Sequence, residues 1–176
     1  NTPQFLTDSH VIEDEKSFRR YVERLNEFSR VIGETKARVL DDRDNGVVPP
    51  DFIIEKALTG MRAFISEGAE ANPLVTTLPE KIEKIDTISD EMRTDLYRQA
   101  TVAVETKIIP MYEDMISIFE ALLDDTNHDA GIWRLPEGDQ IYRNALQSNN
   151  STTLSADEIH NIGLSEVDRI EIEMQK

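Results

Sequence analysis

Phe18, Tyr21, Val22, Leu25, Phe28, Ile32, Val39 and Leu40 recur at three- and four-residue steps, the period of a helix with one buried stripe. The pattern predicts a helix over about 14–43 that ends at Asn45-Gly46, where glycine can take the left-handed conformation that closes a helix. At about 1.5 Å per residue such a helix is on the order of 45 Å long. That is long for a compact single-layer bundle.

After "GVVPPD" a second stripe of Ile54, Leu58, Met61 and Ile65 predicts a helix over about 50–66, with Pro50 at its first position, where the missing N–H would be unpaired anyway. "SEGAEANPLVTTLPE" is polar and turn-rich and reads as a loop. Thr77 with Glu80 suits a capping box for a short helix at 79–86. Ser89, Asp90 and Glu91 mark the next start, and Met92, Leu96, Ala100, Ala103, Lys107, Met111, Met115, Ile118 and Leu122 carry helical spacing over 89–123. Pro110 lies inside that run and removes an N–H, which predicts a kink there or a break at Ile109.

"IWRLPEGDQIYRNALQ" reads as a turn and then a helix over 138–147. The last helix, 155–175, opens with Leu154, Ser155, Glu158 and Ile159 at the positions of a joint capping box and hydrophobic staple. Its apolar face is Ile159, Gly163, Val167, Ile170 and Met174. Interior glycine costs about 1 kcal/mol against alanine, which gives Gly163 a packing purpose. The stripe is still running at Met174, so further chain is expected beyond it. Alternating strands are absent from the pattern, and the fold class is all-α: long antiparallel helices, bundle-like, with a kinked fourth helix, in one helical domain or fragment over 1–176.

Nineteen Lys+Arg against 35 Asp+Glu give a net charge of −16, which repels nucleic-acid backbones and anionic membrane surfaces. The chain has no cysteine, so thiol chemistry, disulfides and cysteine-ligated zinc drop out. No stretch reaches the roughly 20 apolar residues of a membrane span, and no signal segment opens the chain, which starts at Asn1 rather than Met.

Only His10, His128 and His160 are present, with no H-E-x-x-H pair to place two zinc ligands one turn apart. His160 stands three residues after Asp157 and could act as acid or base with it, although an exposed helix histidine is the simpler reading. "DDTNHDAG" sets Asp125, Asn127 and Asp129 at the first, third and fifth places of a calcium loop. It has Ala130 where the turn needs glycine and Pro136 where a bidentate glutamate belongs, so an acidic turn is expected. Overlapping glycosylation sequons at 149–152 matter only in a eukaryotic secretory protein. Trp133, Arg134, Pro136, Gly138 and Tyr142 could line a cleft, against the commoner role of an aromatic anchor for a loop. No catalytic or metal-binding residue is assigned.

Two later stretches carry a resemblance. Gly131, Leu135, Pro136, Gly138 and Tyr142, followed by Thr152, Thr153, Glu158, Ile159, His160, Gly163, Leu164, Val167, Ile170, Glu173 and Met174, resemble the pattern of the bacterial domain of unknown function 885 family. "GVVPP", "NPL" and the proline of the fourth helix agree with it, so that the likeness runs from about His10 onward. The resemblance implies a helical protein several times longer, described in many members as a lipoprotein of the bacterial envelope or periplasm. A downstream His-Glu…Pro-Gly-His-His run makes those members similar to zinc metallopeptidases. That run is not in these residues.

The expectation is therefore an N-terminal helical segment of a zinc-peptidase-like envelope protein, inactive alone. It would hold no cofactor itself, with zinc in the longer parent, and by analogy its helices would wall a substrate channel. Expected partners are the remainder of the parent chain and a second copy through the last helix, with no nucleic acid and no direct membrane span. The alternative is a non-enzymatic interaction or structural module of the envelope. Glu158 and His160 join the five cleft residues as motif positions.

Overall fold

The computed structural model describes residues 2–83 and 85–175, and the described residues contain helices and turns with no β-strand. The chain divides into two compact units, Asn1–His128 and Asp129–Lys176.

The first unit is built on α2, Glu15–Asp44. Its start is fixed by a capping box in which the Asp14 carboxylate accepts from the Ser17 N–H and the Ser17 hydroxyl accepts from the Asp14 N–H, pairing donors that the first turn leaves free. Gly46 closes it with φ of 76°, the left-handed closure expected from the sequence. Phe18, Tyr21, Val22, Leu25 and Phe28 are buried along one face. Ile32, Val39 and Leu40 continue the stripe half-buried. Before it, α1, Thr2–Gln4, and a π-helical turn, Phe5–Ser9, lay Leu6 into the core, an element no periodicity announced.

Helix α3, Asp51–Ile65, buries Ile54 and Leu58. Pro50 stands one residue before its predicted place, as the N-cap. The predicted loop contains a short helix, α4, Pro73–Thr76, because the Asn72 side chain accepts from the Leu74 N–H and caps it. The capping box expected at Thr77 does not form. The Thr77 hydroxyl donates back to the Pro73 carbonyl, so α5 is a single short piece, Leu78–Ile82. Of the predicted 79–86 span, residue 84 lies outside the described residues.

The long fourth helix is continuous in chain and changes winding. Asp90–Ala103 is α6, Val104–Ile108 is π-helical, and Ile109–Leu122 is α7. Pro110 has no N–H to offer the preceding turn, and the wider π turn accommodates this without a break. The wider turn also adds one residue to the stripe. The buried positions run Leu96, Ala100, Ala103, Val104, Ile108, Met115 and Leu122, while Lys107, expected on the stripe, is exposed and donates to the Asn26 side chain at 2.6 Å.

Two apolar clusters result. The larger joins α2 to Leu74, Val75, Leu78 and Ile82 of the short helices and to α6 with its π turn. The smaller joins Val48, Ile54, Leu58 and Leu122, with Val39, Met61, Ile116 and Phe119 packed against it. Complete burial of a Leu or Phe side chain contributes about 1.5–3 kcal/mol, so these clusters supply the stability of the unit.

In the second unit a 3-10 turn, Ile132–Arg134, leads to α8, Gly138–Asn150, and then α9, Ala156–Met174. Ser155 and Glu158 form the predicted reciprocal capping box. Gly138 is the buried residue of α8, and α9 has none. Both helices are amphipathic without an apolar layer of their own to cover them.

Candidate functional site

The motif segment is organised by two glycines. A methyl group at Gly138 would fall 2.1 Å from the Ile132 carbonyl oxygen, and one at Gly131 would fall 2.0 Å from the Trp133 indole. Gly138 meets fixed backbone and excludes a side chain, whereas at Gly131 the neighbour is the end of the exposed Trp133 side chain, which can turn away. Main-chain bonds from Arg134, Leu135 and Gly138 fold 131–138 into a tight turn. Glu137 completes it in the left-handed conformation, φ 54°, an uncommon place for a residue with a Cβ. Ile141 and Tyr142 are exposed on α8, and Trp133 is 72% exposed. Pro136 is exposed and Arg134 half-buried. Glu158 serves the Ser155 cap, whose hydrogen bonds hold its carboxyl below the usual glutamate range. His160 is exposed, and among the described residues it makes no hydrogen bond with Asp157. The structure thus gives Gly138 and Glu158 local structural duties and leaves Trp133, Pro136, Tyr142 and His160 on the surface.

The acidic turn is tied by hydrogen bonds to the segment that opens α3. The Asp51 N–H donates to the Asn127 carbonyl at 3.0 Å, and the Thr126 hydroxyl donates to the Pro49 carbonyl. His128 Nδ1 lies 2.8 Å from Asp51 Oδ1, with the ring beside Phe52. Among the described residues no three His, Asp or Glu side chains gather as a metal site.

A polar group with partners on several sides is His10, one of three isolated histidines in the sequence. Its ring is buried, packs edge-on against Tyr21, and has Nε2 3.2 Å from the Ser17 carbonyl and Nδ1 2.6 Å from Arg24 Nη1. A guanidinium only donates. Nδ1 must therefore accept, Nε2 carries the hydrogen given to Ser17, and the ring is neutral. Desolvation lowers its pKa, the Ser17 bond opposes this, and Arg24, Lys81 and Arg20 lower it further. Lys81 Nζ donates to the carbonyls of His10 at 2.7 Å and Leu6 at 3.3 Å. The only sequence signal was a histidine seven residues before Ser17, and that spacing does not reveal a bond.

The first unit also holds two mainly apolar cavities of about 500 and 260 Å³ that share Pro3, Met61 and Tyr112. The larger reaches Phe64 and the smaller Phe28, Ile32 and Phe119. Tyr112 packs against Phe64 with the rings tilted by 43° and centroids 4.8 Å apart, and burial pushes its hydroxyl up to about 12, so it remains a proton-bearing donor at neutral pH. Mainly apolar walls, with Thr7, Thr35 and Lys56 among the polar groups beside Tyr112, can bind an apolar group.

Comparison with known proteins follows the same lines. The family described as "Bacterial protein of unknown function (DUF885)" matches residues 1–176. A crystal structure described as a "putative lipoprotein" from Colwellia psychrerythraea is similar at 29% sequence identity and a TM-score of 0.86, covering 97% of this chain and 29% of that one. The chain thus spans less than a third of the length of the solved protein. No curated protein matches.

Proposed function

From the membership of this chain in the bacterial family of unknown function 885, we propose that it is the N-terminal helical portion of a longer envelope protein related to zinc-dependent peptidases, inactive by itself. The observation that supports a longer protein is the unequal coverage: nearly all of the chain aligns with 29% of a solved protein described as a "putative lipoprotein". The exposed faces of α8 and α9 support it physically. Ile159, Gly163, Val167, Ile170 and Met174 form a stripe on α9, yet Val167 is 53% and Met174 82% exposed, and large exposed apolar patches mark surfaces that meet a partner.

In this reading the stripe packs against the remainder of the parent chain, and in its absence against a second copy. The helices of the first unit form a wall beside the catalytic portion, which brings its own zinc ligands. The net charge of −16 favours neither nucleic acid nor an anionic lipid surface as partner. The test is to purify the longer gene product, measure zinc, and assay peptide hydrolysis. Stoichiometric zinc with hydrolysis supports the reading; a longer protein without metal or hydrolysis removes the peptidase half and leaves a helical interaction module.

A further inference from the structure

We propose that residues 3–12 form a pH-operated strap, held closed over the first unit by the neutral His10 ring and released when that ring takes up a proton. The geometry carries this. Closure fixes Nδ1 as an acceptor for Arg24, and protonation would set an N–H against a guanidinium that can only donate. The bond to Ser17 survives protonation; the one to Arg24 cannot.

The charges around the ring act in the same direction. From α2 it faces Arg20 and Arg24 together with uncharged Ser17 and Tyr21, and from α5 it faces Lys81. The strap contributes Asp8, which acts on Lys81. A charged imidazole would thus join three cations. Against its departure stand the buried side chains of Leu6 and Ile12, the Phe5 ring with the Arg24 guanidinium 5.9 Å from its centroid, and the two carbonyl contacts of Lys81. These are few, and local openings of this kind draw on the low end of a fold's stability. Release would also uncover the larger cavity, which Pro3, Gln4 and Thr7 line from the strap side, and acid would then expose Met61, Phe64 and Tyr112.

The sign follows from proton linkage. The open strap has an ordinary histidine and the closed one resists the proton, so closure is at full strength above about pH 6.5. Below that it weakens by at most about tenfold per pH unit until the closed-state ring also titrates.

Hydrogen exchange of the 176-residue chain between pH 8 and 5, corrected for intrinsic rates, reads this directly. The expected result is loss of protection over residues 3–13 approaching tenfold per unit below about pH 6.5, with α6 still protected. His10→Gln should flatten the dependence, and Arg24→Met should reduce it. The ring of His10, followed by NMR in the unsubstituted chain, should titrate at the same midpoint as strap opening. Unchanged protection in the unsubstituted chain, the same loss in His10→Gln, full dependence in Arg24→Met, simultaneous loss across α6, or a His10 midpoint apart from the opening midpoint would each overturn the proposal.

Discussion

The hydroxyl of Tyr21 donates to the main-chain oxygen of Leu74 across 2.7 Å, and neither residue is exposed. This single bond ties the long helix α2 to the N-terminus of α4, 53 residues on. Tyr21→Phe keeps the ring and orphans a buried carbonyl. The expected cost is about 1–3 kcal/mol, read as a lower urea midpoint with unchanged slope.

Burial raises the pKa of the same phenol. The unfolded phenol ionises near its ordinary value of about 10 while the folded one does not. Stability from Tyr21 is therefore complete below about pH 10 and is lost above it. Denaturation curves between pH 9 and 11 should show the decline, and Tyr21→Phe should lessen it.

Arg93 closes α5 from outside. Its guanidinium donates to the carbonyls of Ile82, Ile85 and Ile88 at 2.5, 2.6 and 3.0 Å. Arg93→Met should cost about 2–3 kcal/mol by removing charge-assisted bonds. Exchange of the amides over 78–89 should rise first.

The motif turn gives opposite expectations at neighbouring residues. Glu137→Gly should stabilise the second unit by about 1 kcal/mol, because glycine takes the left-handed conformation freely. Gly138→Ala should open the turn, since the new methyl meets the Ile132 carbonyl. Trp133 fluorescence would report both.

Ile170→Asp on the α9 stripe should leave the isolated chain's stability within about 0.5 kcal/mol, as expected for a surface site. Sedimentation should show loss of self-association, and the longer protein should become less soluble. An association constant unaffected by the substitution would remove α9 as the contact.

Periodicity made α2, α3 and α9 legible, because each carries one stripe and a terminal signal whose chemistry is local: Asn45-Gly46 for α2, the proline pair for α3, Ser155 with Glu158 for α9. It failed where two local bonds competed. Thr77 had a capping partner in sequence and a carbonyl closer in space, and Asn72 capped a helix inside an apparent loop. The candidate site was less legible still. Trp133 and Arg134 were legible only as part of an aromatic cluster and Glu158 and His160 through the resemblance, whereas the His10 network depends on Arg24, Tyr21 and Lys81, which only the fold brings within reach.

The π turn at 104–108 also constrains how this chain can change. Its extra residue swings everything beyond it by about 100° relative to a regular helix, and Met115 and Leu122 reach their apolar neighbours only in that phase. Removing a single residue there would lengthen no loop and touch no charge pair, yet it would aim the downstream half at solvent. Such a deletion should be tolerated in surface loops and rejected at this turn, so the spacing between Ala103 and Met115 is as binding a specification as any side chain.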